Sequence, residues 1–349
     1  MTRSAVNAGL PRNVSLIIAP QWIGDAVMTE PLLRRLASRG ERLTVGALPW
    51  VAPVYRAMPQ VAEVVEFPFA HGGLQLKARR GLARQLKARF DTAYICPNSL
   101  KSALLPFLAS IPKRIGYLGE ARVGLLTHRL KNPPKNRRPP MLAFYSALSG
   151  DTDLASDQPR LHLEPAMVDQ ALQRLGLQSG GYDTLAPGAE FGPAKRWPAA
   201  HFAELARRLD RTVVLLGSAK EFALCDEIAE PVNAEQAGKC LNLAGRTTLS
   251  EAFSVIAAAR NMVSNDSGLM HVAAALGVAQ VAIFGSSSPL HTPPLNARAE
   301  VLWLKNDPAY EPALNCAPCF GRTCALGHTR CLTAITPAMV LQKMSLAPP

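Results

Sequence analysis

The chain has 349 residues, 48% of them hydrophobic and 18% charged, which suits two folded domains and excludes a disordered chain. No apolar run reaches the roughly 18 residues of a membrane-spanning helix, and the N-terminal one is too short for a secretory signal, so a cytoplasmic protein is expected. The net charge of +12 lies almost wholly in residues 1–170, with 23 Lys and Arg against 12 Asp and Glu, compared with 15 against 14 in residues 171–349.

The first half alternates β-branched runs with amphipathic stretches, which is typical of a parallel α/β domain. In chain order the predicted elements are strand 14–19, helix 25–39, strand 43–47, strand 61–67, helix 74–90, strand 92–96 and helix 99–108. A basic, proline-rich stretch at 131–140 predicts a surface loop. The excess charge of this half favours an anionic partner, namely nucleic acid, a membrane face or a phosphorylated substrate, although a solvated basic surface is the plain alternative.

Periodicity is lost near 151–165, and the alternation then restarts. The second half is predicted to contain helix 166–175, strand 184–186, helix 198–209, strand 212–216, helix 221–229, helix 249–259, strand 262–264, helix 268–276, strand 278–284 and helix 337–344. The predicted domains are 1–160 and 161–335, with a helix in 336–349 packing back toward the first domain. Since open α/β sheets bind ligands at their strand ends, the basic domain is expected to meet an anionic acceptor and the neutral one a nucleotide, across a shared cleft.

Four loops follow predicted strands and carry candidate site residues. In the first, Gly24 permits a tight turn and Asp25 stands at the start of a helix. A carboxylate there suits a general base that accepts a proton from a sugar hydroxyl, while a helix cap is the structural alternative.

The second and third loops belong to the neutral half. Gly188 and Lys195 lie in a Gly-rich loop that leads into a helix, which indicates a diphosphate cradle or, more plainly, a solvated loop. Gly217 follows a buried strand, and Lys220 or Glu221 could bond the hydroxyls of a nucleotide, although an ordinary β–α turn has the same composition.

The fourth loop is the most informative, because Asp266, Ser267 and Gly268 directly precede a helix and His271 lies one turn into it. Ser267 and Gly268 can donate to a diphosphate at the positive end of that helix. Asp266 would repel phosphate, so a sugar hydroxyl or a neighbouring side chain is its expected partner. The alternatives are a capping role for the loop and a packed, satisfied imidazole for His271.

A C-terminal cluster has the spacing Cys-x2-Cys-x4-Cys-x6-Cys, formed by Cys316, Cys319, Cys324 and Cys331. It could clamp zinc or form a disulfide, but it lacks two matched Cys-x2-Cys knuckles, and reduced structural thiols remain the plain interpretation. No catalytic metal and no cofactor are predicted.

Together, the stretches 23–28, 187–198, 265–271 and 316–328 strongly resemble the bacterial ADP-heptose:lipopolysaccharide heptosyltransferases of glycosyltransferase family 9, type II most closely. The resemblance covers residues 14 to about 345. It implies a GT-B fold of two Rossmann-like domains with parallel sheets facing across a cleft. It also implies an inverting transfer of heptose from ADP-heptose to the first heptose of the lipopolysaccharide inner core.

The resemblance also assigns residues and partners. Asp25 matches the proposed base, Lys195 the lysine at the donor diphosphate, and 266–271 the Asp-Ser/Thr-Gly-x-x-His donor motif. Glu190 and Phe191 stand where type I relatives have two threonines, so that phosphate contact is not carried over. The expected partners are ADP-heptose, a phosphorylated lipid A-Kdo-heptose acceptor and the anionic inner face of the inner membrane, where the enzyme would be peripheral.

Three alternatives to this interpretation stay open. Heptosyltransferase I or III, or another nucleotide-sugar transferase, is the alternative within the same enzyme class. The alternatives outside it are a basic nucleic-acid binder and a non-catalytic nucleotide-binding protein. No RNA-binding motif or interleaving of aromatic and basic residues is present, so no nucleic-acid partner is expected.

Overall fold

The computed structural model describes residues 13–69, 73–134, 138–151 and 158–346. The chain divides into two compact units. The first comprises Met1–Trp22 and Thr29–Asp157, and the second comprises Ile23–Met28 and Gln158–Pro349. Within the described residues no helix is long and apolar enough to cross a bilayer.

The first unit is built on a six-stranded sheet with the order β3-β2-β1-β4-β5-β6, in which every pair is parallel. Its strands are β1 Val14–Ile18, β2 Arg42–Ala47, β3 Val61–Glu66, β4 Thr92–Ile95, β5 Lys113–Tyr117 and β6 His128–Leu130. Its helices are α2 Glu30–Ser38, α3 Ala52–Arg56, α4 Leu76–Leu86, α5 Leu100–Leu108 and α6 Met141–Ser146, while α1 Ile23–Met28 falls in the second unit.

The second unit repeats this plan with a parallel sheet of the order β12-β11-β10-β7-β8-β9. Its strands are β7 Tyr182–Ala186, β8 Thr212–Leu215, β9 Cys240–Asn242, β10 Met262–Asn265, β11 Gln280–Ile283 and β12 Ala299–Leu302. Its further helices are α7 Pro165–Leu175, α8 Ala199–Arg208, α9 Phe222–Glu235, α10 Leu249–Ala257, α11 Gly268–Ala275, α12 Arg330–Thr333 and α13 Pro337–Leu346.

Both sheets have the doubly wound strand order, in which the chain starts at the centre, moves to one edge and then returns to fill the other half. The order reverses between β1 and β4 in the first sheet and between β7 and β10 in the second. Loops diverge at such a reversal and leave a crevice at the carboxyl ends of the strands. The expected α/β class is therefore confirmed, and the loops after β7 and β10 flank the crevice of the second unit.

The C-terminal helix α13 contacts α8, β11 and β12 of the second unit. Val340 is fully buried in the cluster that contains Trp197 and Phe202, and Lys343 pairs with Glu300 at 2.9 Å. Burial of apolar side chains in the core of its own unit therefore determines where this helix packs.

The segment predicted as one helix over 25–39 is divided in two. Helix α1 ends at Met28, and α2 begins at Glu30 with proline in its first turn. Residues 23–28 belong to the second unit by their contacts, although the sequence order places them inside the first domain. The cause is the close packing of α1 on α11, which is described below.

Candidate active site

Asn265, the last residue of β10, holds the two ends of the loop that follows β7. Its side chain is fully buried, its Oδ1 accepts a bond from the Trp197 backbone N–H at 2.9 Å, and its Nδ2 donates to the Pro187 carbonyl at 2.7 Å. Trp197 is anchored in turn, because it is 1% exposed and its indole N–H donates to the Ile335 carbonyl at 2.8 Å. Buried amides with both ends satisfied fix a single geometry, so the loop between residues 187 and 197 is pinned beside β10.

That loop delivers Lys195 to Asp266. The Lys195 Nζ lies 2.5 Å from Asp266 Oδ2, and their side chains are 19% and 5% exposed. The same carboxylate oxygen accepts a 2.6 Å bond from the hydroxyl of Ser287, which follows β11. Three loops that follow neighbouring strands thus converge on one carboxylate. Without the Lys195 ammonium, the buried Asp266 carboxylate would be an uncompensated charge with a large desolvation cost.

Helix α11 begins beside this ion pair. Ser267 is its N-cap residue with an extended backbone, and the Ser267 hydroxyl is buried without a hydrogen-bond partner in the described chain. The first N–H groups of a helix and an unused hydroxyl can donate to an anion. The predicted donor-motif residues 266–268 are therefore adjacent to Lys195, with donors and a cation in one place.

Close packing of α1 on α11 brings the first loop to the same place. A Cβ on Gly24 would lie 2.6 Å from His271 Cδ2, and a Cβ on Gly268 would lie 2.9 Å from Ile23 Cβ. Both glycines are therefore required for the two helices to approach this closely. Asp25 is the third residue of α1 and half-buried, so it does not occupy the N-cap position.

His271 occupies the buried face of α11. It is 5% exposed, and burial lowers the pKa of its imidazole to about 4, with Lys195 acting in the same direction and Asp266 opposing it. The imidazole is therefore neutral near pH 7 and packs against Gly24. Its packing against Gly24 fits the packed alternative, and a contact of this histidine with the donor stays a prediction.

The remaining predicted residues lie on the loops after β7 and β8. The carboxylate of Glu221 accepts bonds from Ser218 N at 2.7 Å and Ser218 Oγ at 3.0 Å, and it also lies where a Cβ on Gly188 would stand. A Cβ on Gly217 would lie 3.0 Å from the Glu221 Cβ. Lys220 points away, with its side chain 81% exposed and Nζ 3.6 Å from Glu190. The structure thus brings Gly188, Gly217 and Glu221 together and leaves Lys220 at the surface.

The cysteine-rich segment, residues 316–331, lies in the same unit. Its cysteines are free: Cys316 and Cys319 are exposed, and Cys324 and Cys331 are half-buried. In the described ranges no three or more His, Cys, Asp or Glu side chains are placed to hold a metal ion. Backbone N–H groups from residues 326 to 329 lower the pKa of Cys324, while burial raises that of Cys331 to about 11.

No role is predicted from the sequence for Asn265 or Ser287, although Asn265 holds the loop that carries Lys195 and Ser287 hydrogen-bonds Asp266. One signal for Asn265 was available, since it is a polar residue at the end of an otherwise apolar strand, directly before Asp266. Ser287 had only a weak signal, a run of three serines after β11. Both residues act by holding neighbouring residues in place through hydrogen bonds, and neither belongs to a recognisable sequence motif.

Known glycosyltransferases are similar to this chain over most of its length. The family model described as "Glycosyltransferase family 9 (heptosyltransferase)" matches residues 79–329. The lipopolysaccharide heptosyltransferase 2 of Salmonella typhimurium is 41% identical over 94% of this chain and 97% of its own, and that of Escherichia coli is 40% identical over 95% and 97%.

A solved structure titled E. coli ADP-heptose LPS heptosyltransferase II is also similar. It superimposes with a TM-score of 0.82 at 39% identity, over 95% of this chain and 97% of that one. A family 9 glycosyltransferase from Veillonella parvula, at 21% identity and a TM-score of 0.73, shares the fold. These structures confirm the expected GT-B class, and the chain belongs to glycosyltransferase family 9, the heptosyltransferases.

Proposed function

We propose that this glycosyltransferase moves L-glycero-D-manno-heptose from ADP-heptose to the first heptose of the lipopolysaccharide inner core, with inversion at the anomeric carbon. The observation that carries the proposal is the Lys195–Asp266 ion pair at the start of α11, beside the helix that bears Asp25. The names of the similar proteins support ADP-heptose as the donor and lipopolysaccharide as the acceptor molecule.

The reaction is a single displacement. An acceptor hydroxyl oxygen forms a bond to the anomeric carbon while the bond from that carbon to the diphosphate oxygen breaks, and the electron pair leaves with ADP. The hydroxyl proton passes to the Asp25 carboxylate, which acts as the general base. Inversion follows because the attack and the departure occur on opposite faces of the sugar.

The departing ADP gains negative charge, and groups on the second unit compensate it. Lys195 supplies a cation, and the N–H groups at the start of α11 supply aligned dipoles with the Ser267 hydroxyl beside them. Asp266 positions the Lys195 ammonium, and Ser287 positions Asp266. His271, being neutral, contributes packing that holds α1 in place.

We propose that the transfer uses no cofactor, because Lys195 and the start of α11 already place a cation and N–H donors where the diphosphate would bind. Incubation with excess EDTA followed by a transfer assay tests this, since unchanged turnover is expected. Loss of turnover that returns with Mg²⁺ or Zn²⁺ would reject the proposal.

The first unit supplies a basic surface for the phosphorylated acceptor and for the cytoplasmic face of the inner membrane. Helix α4 exposes Lys77, Arg80 and Arg84 while it buries Leu82 and Leu86. Near an anionic surface each such cation contributes about 1 kcal/mol. Cosedimentation with phosphatidylglycerol vesicles, compared with phosphatidylcholine vesicles, tests this contact. Replacing the three cations by Glu should abolish the difference, and retained binding would contradict the assignment.

The proposed reaction is tested by mass spectrometry of truncated lipopolysaccharide cores after incubation with nucleotide sugars. We expect the mass of one heptose to be added to a core that ends in a single heptose, with ADP-heptose as the donor. A gain on a heptose-free core would indicate heptosyltransferase I activity instead, and a gain with a different donor would indicate another transferase. Salt-sensitive binding to nucleic acid that ADP does not affect, without any transfer, would favour a nucleic-acid binder.

A further inference from the structure

The cysteine-rich segment is joined to two of the loops that build the donor site. The Arg322 Nε donates to the Phe191 carbonyl at 2.8 Å, and the Arg322 carbonyl accepts a bond from Ala194 N at 3.1 Å. Gly192, with φ +154°, lies so close to this carbonyl that a Cβ would overlap it. The segment is thereby fixed to the loop that presents Lys195.

A second attachment lies on the other side of Asp266. The Phe320 N–H donates to the Ser286 carbonyl at 2.7 Å, and the neighbouring Ser287 holds the Asp266 carboxylate. The segment is therefore tied to the loop after β7 at one point and to the loop after β11 at another. These two attachments on separate loops hold Arg322 in a defined position, although its side chain is exposed.

Two cationic side chains, those of Lys195 and Arg322, lie near the Phe191 ring. The Lys195 Nζ lies 5.3 Å from the centroid of the Phe191 ring, and the Arg322 Cζ lies 5.4 Å from the same centroid. Lys195 is neutralised by Asp266, whereas Arg322 has no carboxylate partner in the part of the chain that the structure describes. One ring thus has two cations against it, one of them uncompensated, which favours an anion.

Two further hydroxyl donors lie in the loops after β10 and β11. The hydroxyls of Ser267 and Ser286 are both buried without a hydrogen-bond partner in the described residues, and Ser286 is only 2% exposed. They stand after β10 and β11, which are paired strands. A buried hydroxyl without a partner is costly unless a ligand or a water satisfies it.

We propose that Arg322 is a second cation for the donor diphosphate, contributed by the cysteine-rich segment. The proposal rests on the proposed function and extends its donor site beyond Lys195 and α11. The guanidinium is held through Nε, and among the described residues neither Nη group has another hydrogen-bond partner, so both can donate to phosphate oxygens in a bidentate contact. The ligand class is a nucleoside diphosphate, free or bearing a sugar.

The test compares Arg322→Gln, Arg322→Lys and the matched control Arg330→Gln, an exposed arginine of the same segment. Calorimetry with ADP is run at two salt concentrations, and adenosine is measured as a competitor. We expect R322Q to weaken ADP binding about tenfold and to flatten its salt dependence, while adenosine changes less than twofold. R322K should recover part of the affinity for ADP, and R330Q should match the wild type.

ADP binding by R322Q within twofold of the wild type would overturn the proposal. An equal loss of affinity for ADP and adenosine in R322Q, with no recovery in R322K, would also overturn the proposal. That result would mean that Arg322 only holds the loop in place through its Nε hydrogen bond. Wild-type protein that binds UDP or GDP but not ADP would refute the proposed donor. The effect of Arg322 on the bound diphosphate would then still be measurable, so the two failures are distinguishable.

Discussion

The buried imidazole of His271 predicts a specific acid sensitivity. Burial lowers its pKa to about 4, whereas an unfolded histidine has a pKa near 6.5. Between these values the unfolded chain binds more protons than the folded chain, so the free energy of unfolding falls as the pH falls from 6.5 toward 4 and is flat above 6.5. From the two pKa values, the loss at pH 5 relative to pH 8 is about 2 kcal/mol from this residue alone.

Urea unfolding of wild type and His271→Gln at pH 8 and pH 5 measures this directly. The fall in unfolding free energy between the two pH values should be about 2 kcal/mol smaller in H271Q. His162→Gln, at an exposed histidine of the same unit, is the matched control and should behave as the wild type does. An identical decline in wild type and H271Q would refute the reasoning.

Three further variants probe how the site is held. Gly24→Ala places a Cβ 2.6 Å from His271 Cδ2, so α1 must shift and transfer should fall at least about tenfold, whereas Gly81→Ala, with open space at its Cβ, should leave transfer unchanged. Asn265→Ala removes two buried hydrogen bonds and should lower the free energy of unfolding by about 2–4 kcal/mol in urea, and a loss below 0.5 kcal/mol would contradict its clamping role. Lys195→Met should weaken ADP binding about tenfold or more by calorimetry, and unchanged affinity would remove this lysine from the donor site.

Much of the second unit follows from local sequence. Strands such as β7 and β10 are short and are followed directly by loops that contain Gly or Asp, and α10 begins with the capping box of Thr248 and Glu251, so their positions could be predicted. Short edge strands such as β6, β9 and β12 were not predicted, because three or four residues of mixed polarity carry no clear alternation.

The site itself depends on contacts between residues far apart in the chain. Lys195 and Asp266 are separated by 71 positions, and the Arg322 side chain reaches a carbonyl 131 positions earlier. No pattern in a single sequence encodes such pairings. The placement of α1 with the second unit is of the same kind, because it depends on two glycines at 24 and 268 that permit close approach. Local motifs therefore indicated which residues matter, and tertiary packing determined their partners.

The central claim is that the Asp25 carboxylate on α1 takes the acceptor proton while other residues of the same unit bind the donor. Asp25→Asn tests it most directly, because the amide keeps the shape of the side chain and cannot accept the proton. Transfer from ADP-heptose and the Kd for ADP are measured on the same preparation. We predict that transfer falls by about a thousandfold or more while the Kd for ADP stays within twofold of the wild type. Transfer at a near-normal rate by D25N would contradict the account.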